Sequence, residues 1–293
     1  MKNTIVVAGA TGNLGQRICR ELLQKNVHVK AIVRTSSNND SVLSLEKMGV
    51  EIIKVSQFNK QELTNACKGA ICVVSAVTGL RDVIVEAQLE LLNAAVAAGV
   101  PHFIPSDFSS DFTDIPKGEN RNFDLRKEFH EHLDKSAIKA TSIFNGCFAD
   151  ILRYNTPLYN KNTHTVACYG DKADWQIDFT TMDDTAAFTA AAALDANAPR
   201  FLNIASFRVS PNDLVSLSGE QSDARFELVN MGSMESFSAY NKVQRSQNPM
   251  GEEELYPKWQ QAQYMYSMFL VHHKALDNDN YPGLSWARVE DNI

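Results

Sequence analysis

The chain has 293 residues, 44% hydrophobic and 22% charged, which provides for one large core or a main core with a small appended lobe. Its net charge of -7 argues against a nucleic-acid surface, which needs clustered Lys and Arg. It also lacks the run of roughly 18 apolar residues that a membrane span requires. Strand and helix patterns then alternate along the first half: strands at Thr4–Val7, Val29–Val33, Glu51–Val55, Ala70–Val77 and His102–Ile104, helices at Leu14–Gln24, Ser41–Met48, Lys60–Cys67 and Asp82–Ala98. This rhythm predicts βαβ units on a parallel sheet, and near-continuous apolar strands such as IVVA and CVVSAV suit a sheet covered on both faces.

A helix over Phe123–Lys135 and a strand over Ala140–Phe144 follow, after which the rhythm loosens. Tyr154–Asn162, rich in Asn, Tyr and Pro, reads as loop. Short strands are expected at Thr165–Tyr169 and Gln176–Phe179, a helix at Asp184–Leu194, and a strand at Phe226–Val229. The last hundred residues are expected to hold two helices, near Pro211–Ser218 and Glu252–His272. The fold class is therefore α/β, a Rossmann-type doubly wound parallel sheet with a smaller C-terminal lobe. Residues 1–150 form the dinucleotide-binding domain, and 151–293 a mixed region with some segments returning to the Rossmann core.

Cys19, Cys67, Cys72, Cys147 and Cys168 are odd in number and form no CxxC pair, which predicts free thiols and a reducing, cytoplasmic setting. The N-terminal MKNTIVVAGATG runs straight into a strand and a turn, leaving no room for a signal peptide.

Gly9-Ala-Thr-Gly12-Asn-Leu-Gly15 joins the first strand to the first helix. Gly9 permits a tight turn, Gly12 lets the backbone approach a pyrophosphate, and Gly15 allows the helix to pack closely on the strand. The helix N-terminus offers free N–H groups and a positive dipole end to phosphates, so Thr11, Asn13 and Leu14 complete the expected cradle. The second strand ends at Val33-Arg34, with no acid before Asp40 to bind a ribose 2′-hydroxyl. Arg34 instead suits a 2′-phosphate, which favours NADP(H) over NAD(H).

Ser75, Ala76 and Val77 close the fourth strand, and Ser106, Asp107 and Phe108 follow the fifth, all at the carboxyl edge where open α/β sheets bind ligands. Asp107 either positions nicotinamide or substrate there, or caps a turn. Phe58, after the third strand, either flanks adenine or packs in the core. His130-x-His132 and His272-His273 do not converge on one face, so no metal site is expected.

GATGNLG, VVSAV, EAQLELLNAAVAAGVPHFIPSDF and NGCFADIL together resemble the NmrA-like branch of atypical short-chain dehydrogenases, especially its isoflavone reductase-like and phenylcoumaran benzylic ether reductase-like members. The resemblance implies a Rossmann core with a C-terminal substrate lobe, hydride transfer from NADPH to a small phenolic or aromatic molecule, and Asn145 among the cofactor-binding residues. Some NmrA-like relatives are instead non-catalytic NADP(H) sensors with a protein partner, which stands as the alternative. No Tyr-x-x-x-Lys pair is present, which disfavours an ordinary short-chain dehydrogenase.

The reductases carry a lysine in the helix after the PSxF segment. Here Arg126 falls at that position, with Lys127 one residue on. Arginine can hold a ribose or a developing oxyanion but cannot shuttle a proton, whereas lysine can. One residue turns a helical side chain by about 100°, so Lys127 substitutes only if the helix is rotated. His130, one turn from Arg126, is the second proton-transfer candidate. The other reading of Arg126, Lys127 and His130 is a solvated face bordering the core.

Overall fold

The computed structural model describes residues 2–37, 39–56, 59–221 and 224–293. Strands β1 (Thr4–Ala8), β2 (His28–Arg34), β3 (Glu51–Val55), β4 (Cys72–Ser75), β5 (His102–Ile104) and β6 (Lys139–Ala140) form one parallel sheet in the order β3-β2-β1-β4-β5-β6. The chain runs outward from β1 to β3 and then crosses back to β4, so the strand order reverses between β1 and β4. That reversal opens a crevice at the carboxyl ends, the place where doubly wound Rossmann sheets take their ligands. After Thr141 the sixth strand resumes as β7 (Ser142–Phe144), which pairs in parallel with β12 (Phe201–Asn203).

Helices α1 (Asn13–Gln24), α2 (Asn39–Met48) and α6 (Met182–Leu194) cover one face of the sheet, and α3 (Lys60–Cys67), α4 (Gln88–Ala97) and α5 (Arg121–Leu133) cover the other. Ile5, Val6, Val7, Val73 and Val74 are fully buried because both faces are covered. Each such side chain contributes about 1.5–3 kcal/mol of burial. Tyr281, Leu284 and Trp286 return from the far end of the sequence to pack on the α1–α6 face.

The second lobe has its own core, built from Leu152, Tyr159, Val166, Phe179, Leu214, Phe237 and Phe269 among others. Two small sheets carry it: β13-β11-β8, with β8 at Cys147–Phe148, β11 at Ile177–Thr180 and β13 at Phe207–Val209, and β14-β10-β9, with β9 at Tyr159–Asn160, β10 at Thr165–Cys168 and β14 at Glu227–Asn230.

Three expectations need correction here. Among the described residues, the last hundred hold three α-helices, α7 (Pro211–Gln221), α8 (Met234–Gln247) and α9 (Lys258–Leu270), not two. The helix expected over Glu252–His272 starts only at Lys258, because Pro257 occupies its N-cap and Pro249–Glu253 is a separate 3-10 turn. The helix expected over Asp82–Ala98 opens as a π-helical segment, Asp82–Ala87, before α4. No described helix is long and apolar enough to cross a membrane.

Candidate cofactor and substrate site

The turn between β1 and α1 is shaped by its main chain. Gly9 has φ +76°, and a Cβ there would stand 2.3 Å from the Ala76 carbonyl oxygen. At Gly15 a Cβ would meet the Gly9 carbonyl oxygen at 2.2 Å. Both distances are far inside van der Waals contact with backbone that cannot swing aside. The Gly12 amide donates to that same Gly9 oxygen at 3.0 Å and closes the turn.

Gly12 is also the N-cap of α1, with no capping side chain and no acid in the first turn. The amides of Asn13, Leu14 and Gly15 therefore have no intrahelical partner, and the dipole's positive end has no protein anion in that turn. The Asn13 side chain accepts from Arg17 Nε at 2.9 Å, and the Thr11 carbonyl accepts from Gln16 at 3.1 Å. Leu14 packs against the core, so these three residues leave chiefly main-chain groups to the cradle. Such a turn fits a dinucleotide pyrophosphate.

Arg34 closes β2 with its side chain exposed and in no ion pair with another described residue. The Ser37 amide donates to its carbonyl at 2.9 Å, which turns the chain at the carboxyl end of β2. Phe58 lies outside the described residues.

The other end of the crevice is held by side chains. Gln88, fully buried on α4, accepts from the Ser106 amide at 2.8 Å and donates to the Ile84 carbonyl, in the π-helical segment, at 2.9 Å. Ser106 Oγ donates to the Val77 carbonyl at 2.7 Å, tying the loop after β5 to the end of β4. Arg126 reaches across from α5 and donates through Nε to the Ser106 carbonyl at 3.0 Å. Its Nη1 donates to Asn122, whose side chain in turn donates to Tyr264 Oη at 3.0 Å.

Asp107 is fully buried. Its Oδ2 accepts from His130 Nε2 at 2.7 Å and from Ser142 Oγ at 2.6 Å, while its Oδ1 has no partner. Burial alone would push this carboxyl up. His130, Ser142 and Arg126 outweigh it and hold the group below the usual carboxylate range. Arg200 continues the chain of contacts, donating to Ser142 Oγ at 2.6 Å and to Asp134 at 2.9 Å.

The structure thus brings Arg126, His130, Ser106 and Asp107 together. It sends Lys127 elsewhere: its ammonium donates to the Ile115 carbonyl, on the loop between β5 and α5. The geometric reason is the turn of about 100° between neighbouring helical residues. Neither is this a solvated face, since Arg126 is only partly exposed and His130 is buried against Phe112, ring centroids 5.1 Å apart.

Three polar groups at this edge are buried without partners: Ser75 Oγ and both amide atoms of Asn145, as well as Asp107 Oδ1. Leaving such an atom unpaired costs about 1–3 kcal/mol. Phe108 packs into the core below them. Burial raises the thiol of Cys147, two residues past Asn145, which disfavours its thiolate. Sequence reasoning missed Gln88 and Ser142 as parts of this constellation. The only signal for Gln88 was its place at the head of the EAQLELL run.

The model of the NmrA-like family matches residues 1–277. The chain belongs to the NmrA-like family. Among curated proteins, this NmrA-like chain is 32% identical over 219 residues to "Pinoresinol reductase 1" of Arabidopsis thaliana, covering 69% of the chain and 67% of that relative. Among solved structures, it is similar to AtPrR2 with NADP+ and (+)pinoresinol, at 23% identity and a TM-score of 0.80, covering 99% of this chain and 97% of that one. It is equally similar to the leucoanthocyanidin reductase–NADPH binary complex from Vitis vinifera, at 20% identity and a TM-score of 0.80, covering 99% and 97%. At those identities the two structures establish a shared fold over the full length.

Proposed function

We propose that this NmrA-like chain is an NADPH-dependent reductase of a small phenolic or related aromatic molecule. The observation that carries the proposal is the glycine turn whose Cβ positions are already filled by backbone, at an uncapped helix N-terminus, in a chain that shares a third of its matched residues with a pinoresinol reductase. Gly9, Thr11, Gly12, Asn13, Leu14 and Gly15 hold the pyrophosphate, and Arg34 grips the 2′-phosphate with charge-assisted hydrogen bonds. Ser75, Ala76 and Val77 line the middle of the crevice. Ser106, Asp107, Phe108 and Asn145 frame its nicotinamide end. When bound, NADPH supplies a hydride.

The chain's own residues then have separable tasks. Arg126 stays charged at every working pH, so it stabilises negative charge on a ribose or substrate oxygen and holds no exchangeable catalytic proton. His130 and Ser142 fix Asp107, and through it the Ser106–Phe108 segment. Lys127 anchors the β5–α5 loop.

The test is loss of reduced-nicotinamide absorbance with purified protein against phenolic ethers, quinones and aromatic carbonyls, NADPH and NADH in parallel. Turnover with NADPH well ahead of NADH is expected. Arg126→Ala is expected to lower kcat/KM on the order of 100-fold, the scale of a lost oxyanion contact, and Arg126→Lys to recover part of it. Tight NADPH binding without turnover on any substrate would count against a reductase.

A further inference from the structure

One buried group near this site is not used by the reading above. His273 follows α9, and its side chain is 1% exposed. Neither ring nitrogen has a hydrogen-bond partner. Its surroundings are nevertheless built with care. The His273 amide donates to Asp178 Oδ2 at 2.6 Å, and Nε2 stands 4.0 Å from the same oxygen. Arg208, on β13, donates through Nε to Asp178 Oδ1 at 2.5 Å and through Nη2 to the His273 carbonyl at 2.6 Å. The carboxylate and the guanidinium thus lock the backbone of His273 while its imidazole is left unsatisfied.

The location of that lock is informative. Asp178 belongs to β11, and the chain just past β7 is pressed against it. At Gly146, φ +62°, a Cβ would lie 2.3 Å from the Asp178 carbonyl oxygen. Asn145, one residue before, is the fully buried amide with no partners. The charge of Asp111, on the loop that follows β5, also acts on the His273 ring. Val271, two residues before His273, packs on the Phe112, Phe123 and Phe144 cluster. His273 therefore faces the same carboxyl edge of β5 and β7 as Ser106 and Asn145, but from the second lobe.

Burial holds the imidazole below its ordinary value. Asp178 and Asp111 pull it up, Arg208 and His272 push it down, and burial prevails. A neutral imidazole has one N–H and one lone pair. In the tautomer that puts the proton on Nε2, toward the Asp178 carboxylate, Nδ1 is an acceptor. An acceptor beside an aromatic cluster suits an O–H or N–H on an otherwise apolar molecule, and the phenolic reading of the site supplies the O–H.

We infer that His273, held by Asp178 and Arg208, is a specificity-determining residue whose Nδ1 accepts a hydrogen bond from a phenolic hydroxyl of the substrate. The inference rests on the phenolic reading of the site and adds to it which substrates are taken: those with a free hydroxyl, in preference to their methyl ethers. No bond is made or broken in this role.

The experiment uses the full chain saturated with NADP+, whose binding is measured first. Binding of para-propylphenol and of its methyl ether is followed by NMR of the histidine ring protons. The phenol is expected to bind about tenfold more tightly than the ether, about the worth of one hydrogen bond. It should shift one imidazole resonance that the ether leaves in place and that His273→Phe removes. In His273→Phe the two probes should bind equally, and in His273→Gln, which keeps an acceptor, part of the preference should remain. Equal binding in the unaltered protein, no binding of either probe, or an unchanged preference in both variants would overturn the assignment. If either variant fails to fold, the imidazole response of the unaltered protein decides. Failure to bind NADP+ counts instead against the cofactor reading, so the two failures are told apart.

Discussion

The two ends of the crevice are built by opposite means. At the phosphate end, Gly9, Gly12 and Gly15 act through what they lack, and everything that matters is main chain within one turn of the sequence. At the proposed nicotinamide end, Gln88, Ser106, Asp107, Arg126, His130 and Ser142 arrive from α4, the β5 loop, α5 and β7, each fixed by another side chain or a carbonyl, while the Asn145 amide just past β7 has no partner. A site made of backbone can be recognised in any chain that repeats its spacing. A site made of side chains can exchange its members so long as the partners still meet.

Four measurements would break or sharpen that contrast. Asp107→Ala attacks the side-chain end at its most buried point and leaves His130 facing an empty place. Loss of about 3–5 kcal/mol of stability is expected, as for other broken buried pairs, read as a lower denaturant midpoint. A loss under about 1 kcal/mol would show that the network is decoration on a self-sufficient fold. Gly9→Ala attacks the backbone end, and NADPH affinity should fall at least about 100-fold, close to 3 kcal/mol, because the Ala76 carbonyl has nowhere to go.

Acid tests the sheet beneath the side-chain end. His102 on β5 is buried, with Nε2 2.9 Å from Thr141 Oγ1, and burial drops its pKa from 6.5 to about 4. The unfolded chain takes up this proton first as pH falls, so stability is fully present above pH 6.5 and is lost between there and about 4. The loss should approach roughly 3 kcal/mol and disappear from the pH profile of His102→Gln. The smallest effect is expected at the end of β2: Arg34→Ser should weaken NADPH by about tenfold and leave NADH unchanged, since exposed charge is screened. Equal losses for both cofactors would remove Arg34 from the 2′-phosphate.

The first six strands and the helices between them were legible because βαβ units advertise themselves locally, in apolar runs of four or five residues and in helical stripes. The parallel sheet and the glycine turn followed from that pattern. The α8 helix was not legible: of MESFSAYNKVQRSQ only Phe237 and Asn241 are buried, so no apolar stripe betrays it. The π-helical start of α4 hid for another reason, since its sequence is as apolar as an α-helix and only its wider backbone hydrogen-bond spacing distinguishes it. Arg126, His130 and Lys127 were named from sequence, yet their different destinations depend on helix register, which one sequence leaves uncertain by a residue or two. His273 had drawn notice only as half of a His-His pair. Its meaning lies in Asp178 and Arg208, 95 and 65 residues away.

The return of Tyr281 and Trp286 to the first core has a consequence for synthesis. Both rings rest on Phe188 of α6, at centroid distances of 4.9 and 6.0 Å. While the chain is being made, the α1–α6 face can assemble but stays uncovered until residue 286 has emerged. The nascent dinucleotide fold therefore carries an open apolar flank while about the last third of the chain is made, a surface on which chaperones can act.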